Sequence, residues 1–121
     1  MQIKKHQINN IVIQHIHSCV FGISERSWKL VFTSREKNRI VTISPITDNS
    51  IDTNTYHLFV VDENVYSLDE GVNTLDVFEL KVVGSSVVDE KFYCKLVCVV
   101  VDNDKTYKKY TNTRDIKAYK R

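Results

Sequence analysis

Apolar and polar side chains alternate along most of this chain, and short polar turns separate the alternating runs. Trp28, Leu30 and Phe32 fall on one face of such a run, and the polar segment 34–38 separates it from the next run at 39–44. A period of two is typical of β-strands that bury one face. The chain has one alanine and many β-branched residues, which disfavours helices. The pattern therefore predicts an all-β protein with a hairpin at 28–44.

The alternating runs predict about eight short strands. Pro45 is expected to end the third strand, because a proline cannot donate a backbone hydrogen bond inside a sheet. Eight strands joined by tight turns favour a single antiparallel β-sandwich of the jelly-roll type, and a small barrel like the OB fold is the alternative. The predicted strands are 11–21, 28–33, 39–44, 56–61, 65–68, 74–83, 90–101 and, as a short edge strand, 115–121.

The sixth predicted strand contains a change of register. Leu75 and Val77 alternate in one phase, whereas Phe78, Leu80 and Val82 alternate in the other. A slip of one residue is what a β-bulge produces. A bulge is therefore predicted between Val77 and Phe78.

The chain contains three cysteines, Cys19, Cys94 and Cys98. An odd number, together with an N-terminal segment that lacks the long apolar stretch of a signal peptide, predicts reduced thiols in an intracellular protein, cytoplasmic or nuclear and not secreted. No apolar run approaches the roughly 20 residues of a membrane span, so no membrane association is expected. Cys94 and Cys98 are expected to pack in the core as small hydrophobes. They share one face of the seventh strand with Phe92, Leu96 and Val100.

The net charge of +2 conceals a strong segregation of charge along the chain. Residues 1–39 carry a net charge of +5, whereas residues 40–80 contain eight acids and neither lysine nor arginine. This acidic span predicts a surface for a basic protein partner, and solvated acids at turns are the alternative. The predicted partner-binding acids are Asp62, Glu63, Asp69, Glu70, Asp76 and Glu79.

The length allows a single domain, predicted as a β-sandwich core over 1–104 followed by a basic tail over 105–121. The tail carries a net charge of +6 and three tyrosines. Basic side chains neutralise phosphates and aromatic rings stack on bases, which predicts nucleic-acid binding. Docking on the acidic span of a neighbouring subunit and a role in solubility alone are the other interpretations. The candidate tail residues are Lys105, Tyr107, Lys108, Lys109, Tyr110, Arg114, Lys117 and Tyr119.

His15, His17 and Cys19 alternate with other residues in the first predicted strand. On a strand these side chains lie on one face, and imidazole and thiolate are ligands of zinc and copper. The spacing differs from the paired Cys-x2-Cys pattern of zinc knuckles, and polar alternation on a half-exposed face is the alternative. They are the candidate metal ligands in a chain for which no bound metal or cofactor is predicted.

Sequence motifs of enzymes are absent. Three glycines cannot build a phosphate-binding loop, a dinucleotide fingerprint or a nucleophile elbow. His15 and Ser18 have neither the spacing nor the turn chemistry of a hydrolase triad. The chain is therefore predicted not to be an enzyme.

Residues 19–24 (Cys-Val-Phe-Gly-Ile-Ser), 28–32 and 39–43 resemble the opening of nucleoplasmin-like jelly rolls, in which an apolar-Phe-Gly step leads into two hairpin strands. Residues 57–61 are similar to the strand that follows in that family. The size and composition also resemble the baculovirus telokin-like β-sandwich proteins and would suit a viral source. The nucleoplasmin-like resemblance implies a ring-forming homo-oligomer that acts by binding and not by catalysis.

The leading prediction is a non-enzymatic protein-interaction module that self-associates as a homo-oligomer. The acids of one copy would then face the basic N-terminal third or the tail of the next, which sets orientation more than affinity. The alternative is a nucleic-acid-binding β-barrel module that uses the basic tail.

Overall fold

The structure is a computed structural model that describes residues 1–16 and 18–102. None of these described residues lies in a helix, which confirms the all-β prediction. It follows that this part of the chain has no helix with the length and hydrophobicity to span a membrane. The strands are β1 (Gln2–Lys4), β2 (Ile8–Gln14), β3 (Arg26–Ser34), β4 (Ile40–Ile46), β5 (Tyr56–Asp62), β6 (Gly71–Val83) and β7 (Ser86–Val101).

The strands form two sheets of unequal size. Five strands in the order β1-β7-β6-β3-β4 make a sheet that curls into a half-barrel, and β2 pairs antiparallel with β5. Neighbours in the larger sheet are antiparallel except β1 and β7, which run parallel. The prediction of a purely antiparallel architecture is therefore wrong at this edge. Strand β1 is too short to show an alternating pattern in the sequence. Beside it, the Lys5 N–H donates to the Val101 carbonyl, and the Met1 carbonyl accepts the N–H of Val99.

The core combines side chains from both sheets. Trp28, Leu30 and Phe32 of β3 are buried on one face, as predicted, and Phe59 and Val61 of β5 pack into the same cluster. Burial of an apolar side chain of this size contributes about 1.5–3 kcal/mol. The predicted hairpin is also confirmed, because β3 pairs antiparallel with β4.

The long first strand predicted over 11–21 ends at Gln14, the last residue of β2. Residues 15–16 and 18–25 lie outside the strands and are called here the first loop. Buried side chains of β6 and β7 accept the N–H groups that a partner strand would otherwise have bound. Two N–H groups of the loop donate to the Glu79 carboxylate at 2.9 and 2.7 Å, and that of Ile16 donates to the Tyr93 hydroxyl at 3.1 Å. The loop is thereby held against the five-stranded sheet.

Two other predicted boundaries are also wrong. Pro45 lies inside β4 and does not end it, which is tolerated because β4 is an edge strand of the sheet. Residues 65–68 do not form the predicted strand. The Leu68 N–H instead donates to the buried carboxylate of Glu63 at 2.9 Å.

A register shift between Val77 and Phe78 is confirmed, but the extra residue is not on β6, where the sequence predicts it, and Phe78 does not turn to the core face. The pairing of β6 with β7 shifts there from Val77↔Cys94 to Phe78↔Phe92, so Tyr93 is the extra residue and the bulge lies on β7. An extra residue reverses the faces of a strand. Tyr93 and Cys94 are therefore both buried, whereas Phe92 is exposed and does not join the core face on which the sequence places it.

Cys94 and Cys98 are buried in the core, as predicted, and all three cysteines are free. Burial raises the pKa of each of these two thiols to about 11, so they stay protonated at neutral pH. The predicted edge strand at 115–121 and the predicted domain boundary after residue 104 lie outside the described residues.

Candidate functional site

The end of the β2–β5 pair places two imidazoles side by side. His57 occupies an inward position of β5 in the same alternation as Phe59 and Val61, and it is fully buried. His15 follows β2 and continues its ladder, since its N–H donates to the Thr55 carbonyl at 3.1 Å. His15 Nδ1 consequently lies 3.1 Å from His57 Nε2, as expected for diagonal neighbours across a strand pair.

The carboxylate of Asp48 fixes the orientation of the buried imidazole. Its Oδ2 lies 2.7 Å from His57 Nδ1, and its Oδ1 accepts the N–H groups of Leu58 (2.9 Å) and Ser50 (3.0 Å). Burial acts to raise the pKa of Asp48, but these hydrogen bonds outweigh burial and hold the pKa below its ordinary value of 3.8. The ionised carboxylate only accepts hydrogen bonds, so His57 Nδ1 is the donor, and in a neutral imidazole Nε2 then carries the lone pair.

Aromatic rings enclose the same imidazole. The Trp28 and His57 ring centroids are 4.8 Å apart, and the Tyr93 ring stands edge-on to His57 at 5.3 Å. The Tyr93 hydroxyl lies 3.2 Å from His57 Nε2. The bulge in β7 thus turns Tyr93 inward, where it packs on the histidine and holds the first loop.

Glu79 anchors the part of the first loop that follows Cys19. Its carboxylate is almost fully buried and accepts the N–H groups of Val20 (2.9 Å) and Phe21 (2.7 Å). Arg26 Nε lies 3.5 Å from the same carboxylate. A buried charge needs such partners, and here they include backbone groups that strand pairing leaves free.

The Cys19 thiol joins the two imidazoles at this point. One donor atom from each of His15, Cys19 and His57 lies within 4.8 Å of the others. Burial raises the pKa of the Cys19 thiol, and the nearby Arg26 opposes that shift only in part. A thiol of raised pKa is not an activated nucleophile. The arrangement instead offers the nitrogen and sulfur donors that transition metals bind.

A cleft of about 430 Å³ opens beside this cluster, between the first loop and the loop 47–55 that joins β4 to β5. His15 and Cys19 line the cleft together with Arg26 and Thr53. His15 and Cys19 are accordingly open to small solutes, whereas His57 approaches them from the protein interior.

The structure brings together two of the three residues that the sequence indicates as metal ligands. His15 and Cys19 lie in the cluster, although Cys19 is in a loop and not on the predicted strand. His17 lies outside the described residues. Sequence reasoning missed His57, whose signal is its alternation with Phe59 and Val61, since that pattern places an imidazole on a core face.

Two of the six predicted partner-binding acids are buried and bind groups of the chain itself. Glu79 anchors the first loop. Glu63 accepts the N–H groups of His6 (2.6 Å) and Leu68 (2.9 Å), and the Lys5 ammonium lies 2.9 Å from its carboxylate. These two carboxylates hold the fold together and do not present a surface to a partner.

The other predicted acids are half-buried or exposed. Asp69 pairs with Arg39 at 3.4 Å, and Asp76 pairs with Lys95 at 3.3 Å. Part of the charge segregation in the sequence is thus neutralised within one chain. Partner binding stays a prediction for Asp62, Asp69, Glu70 and Asp76.

The basic tail residues that the sequence indicates for nucleic-acid or partner contact, all within 105–121, lie outside the described residues. Nucleic-acid binding by the tail therefore stays a prediction.

The projecting end of β7 forms a second surface that sequence reasoning did not identify. Strand β7 pairs with β6 on one side, but β1 covers the other side only over 99–101. Among the described residues, no backbone hydrogen bond from another strand reaches that side over 86–92, a stretch called here the β7 edge segment. All of its side chains are exposed, and its apolar members are Val87, Val88 and Phe92.

Comparisons of this chain with models of protein families, with curated proteins and with solved structures find no match. The resemblances to nucleoplasmin-like and telokin-like proteins stay expectations.

Proposed function

We propose that this chain is a non-enzymatic protein-interaction domain that self-associates through the β7 edge segment. The observation that carries the proposal is the strand side left without a backbone partner over 86–92 among the described residues, together with the exposed Val87, Val88 and Phe92. An exposed edge with apolar side chains is a template for pairing with another strand. A second copy of the chain supplies an edge of matching shape, and two-fold pairing of the two edges closes without leaving either one open.

Charges along β7 support an antiparallel pairing of two copies. Asp89 and Lys91 lie on one face of the β7 edge segment. A two-fold axis near Glu90 places Asp89 of one copy opposite Lys91 of the other, while Glu90 itself is paired with Lys29 of its own chain. Apolar burial then supplies most of the affinity, and the charge pairs set the register.

The other parts of the proposal rest on separate observations. The raised pKa of the Cys19 thiol and the lack of catalytic sequence motifs support a binding role without catalysis. The core that the β2–β5 pair shares with the curled sheet supports a jelly-roll-like sandwich, with a small barrel as the alternative. The free cysteines support an intracellular setting.

Light scattering after size exclusion, with the full chain at low and at high salt, tests the proposal. We expect a mass of twice 14.1 kDa at low salt. A decrease in that mass at high salt would measure the contribution of the charge pairs. A monomer at both salt concentrations would contradict self-association.

A pair of matched variants tests the surface. Val88→Lys places a charge in the β7 edge segment, and we expect it to yield a monomer. Val65→Lys places the same charge on an exposed valine in the turn after β5, and we expect the wild-type mass. Circular dichroism of both variants verifies folding. An unchanged mass for folded Val88→Lys would remove the β7 edge segment as the contact surface.

A further inference from the structure

We infer that His15, Cys19 and His57 form a binding site for a divalent transition metal ion of the zinc type, and that Asp48 positions His57 within it. The inference does not depend on self-association. It rests on three donor atoms within 4.8 Å of one another beside a cleft of about 430 Å³. It differs from the site that the sequence indicates, because a residue of β5 takes the third position.

The two imidazole nitrogens already have the spacing that a single ion requires. His15 Nδ1 and His57 Nε2 are 3.1 Å apart. Two nitrogens bound at about 2.0–2.1 Å to a tetrahedral zinc ion lie about 3.3 Å apart. The spacing of the two nitrogens thus suits a single ion that replaces the hydrogen bond between the rings.

The thiol completes the set after a small adjustment. A sulfur bound at about 2.3 Å to the same ion lies about 3.6 Å from each nitrogen. A sulfur–nitrogen separation of up to 4.8 Å therefore has to shorten by up to about 1.2 Å on binding. Cys19 belongs to the first loop and not to a strand, so this movement breaks no strand pairing.

Asp48 supplies the second layer that metal-binding histidines require. Metal ligands of this kind usually donate their other ring N–H to a carboxylate or carbonyl group. His57 Nδ1 lies 2.7 Å from Asp48 Oδ2, which directs the Nε2 lone pair toward His15. The packed rings of Trp28 and Tyr93 hold the imidazole in this orientation.

The donor set and the cleft define the class of ion. Two imidazoles and a thiolate favour zinc, cobalt or copper over magnesium and calcium, which prefer oxygen ligands. On binding, the thiol proton of Cys19 is released to solvent, and the proton of His15 moves to Nε2 so that Nδ1 is free to bind. Three protein ligands leave a fourth position, which faces the cleft and takes water or an anion.

Titration of the reduced full chain with Co²⁺ tests the site directly, because tetrahedral cobalt absorbs in the visible range and its thiolate bond gives a near-ultraviolet charge-transfer band. We expect both signals to saturate at one ion per chain, and Zn²⁺ to displace the cobalt. A titration without the charge-transfer band would overturn the inference.

Matched variants assign the ligands. Cys19→Ser should abolish the charge-transfer band and weaken Zn²⁺ binding at least tenfold, whereas Cys98→Ala, which removes a core thiol, should retain the band. His15→Gln should weaken binding at least tenfold, whereas His6→Gln, at an exposed histidine, should not. Both ligand positions are half-buried, so folded variants are expected, and circular dichroism verifies this. Wild-type affinity in folded Cys19→Ser or His15→Gln would also overturn the inference.

Asp48→Asn tests the positioning role. Loss of such a partner weakens metal binding by about 10–100-fold. We expect that loss of affinity with an unchanged shape of the cobalt spectrum, because Asp48 does not touch the ion. An unchanged affinity would show that Asp48 does not position His57.

Discussion

The half of β7 from Tyr93 to Val101 and the half from Ser86 to Phe92 pair with the same neighbouring strand, but only the first half belongs to a core. Cys94, Cys98 and Val100 lie in the core cluster together with Tyr93, and every residue of the other half is exposed. The division falls at the bulge. Tyr93 touches the buried His57, whereas Phe92, the residue before it, faces solvent.

The difference between the halves shows that a strand can be paired through its backbone without being buried. Both halves satisfy one side of their backbone through β6. Only the half that other elements cover gains the apolar stabilisation that burial provides. The covered half supports the histidine cluster, and the exposed half supplies the surface proposed for self-association.

The largest expected effect compares two valines, one in each half. Val100→Ala removes two buried methyl groups and leaves a cavity, so we expect a loss of about 2–3 kcal/mol in the free energy of unfolding. Val88→Ala, at an exposed position, should change that free energy by less than about 0.5 kcal/mol. Urea unfolding at a concentration where the chain is monomeric measures both. Equal losses would mean that the β7 edge segment is covered in solution.

The next effect compares two carboxylates that pair with cations. Glu79→Gln removes the charge from a buried group that accepts two backbone N–H groups, and we expect a loss of about 1–3 kcal/mol. Glu90→Gln, which removes a partner of Lys29 at the surface, should cost about 1 kcal/mol or less. The same unfolding measurement applies. A larger loss of unfolding free energy for Glu90→Gln than for Glu79→Gln would mean that the exposed half contributes more to stability than its burial predicts.

A smaller effect is expected at the turn between β6 and β7. Gly84 has a φ of +64°, so Gly84→Ala places a side chain in the left-handed region and should cost about 1 kcal/mol. Gly22→Ala is the matched control, because no atom lies within 4 Å of its added Cβ and its φ is not in that region. We expect no loss for the control. If Gly84→Ala were as stable as the wild type, the left-handed turn would not be needed for stability, and the half of β7 from Tyr93 to Val101 would be independent of it.

The smallest effect concerns the pH dependence of stability. Burial acts to raise the pKa of Glu63, but hydrogen bonds from His6, Lys5 and Leu68 outweigh burial and hold the pKa below its ordinary value of 4.5. The unfolded chain therefore binds this proton at a higher pH than the folded chain does. The stabilisation is fully present above about pH 4.5 and is lost as the pH falls through the lowered pKa.

Glu63→Gln should reduce the decrease in melting temperature that the wild type shows when thermal unfolding is measured from roughly pH 5 down to pH 3. If stability fell as steeply with decreasing pH in Glu63→Gln as in the wild type, the pH dependence of stability would come from other carboxyl groups, and Asp48 would be the next to test.

Local patterns in the sequence predicted those features that depend on neighbours in the chain. The buried face of β3 and the core positions of Cys94 and Cys98 follow from alternation over a few residues, and so does the position of the register shift beside Val77, although not the strand that carries the extra residue. The same reasoning assigned Phe92 to the core and continued the first strand to residue 21. Both errors depend on side chains distant in sequence, since Tyr93 supplies the extra residue of the bulge and Glu79 binds the loop that replaces the strand.

The sequence by itself determined that the chain is all-β, because the alternation of apolar residues and the scarcity of alanine disfavour a helix. The sequence also indicated His15 and Cys19, two donors of the proposed metal site. The third donor was decided by tertiary structure. His57 is 42 residues from His15, and only the pairing of β2 with β5 brings the two rings together. The physical reason is that alternation sets the face on which a side chain lies, whereas strand pairing and the anchoring of the first loop decide which faces meet.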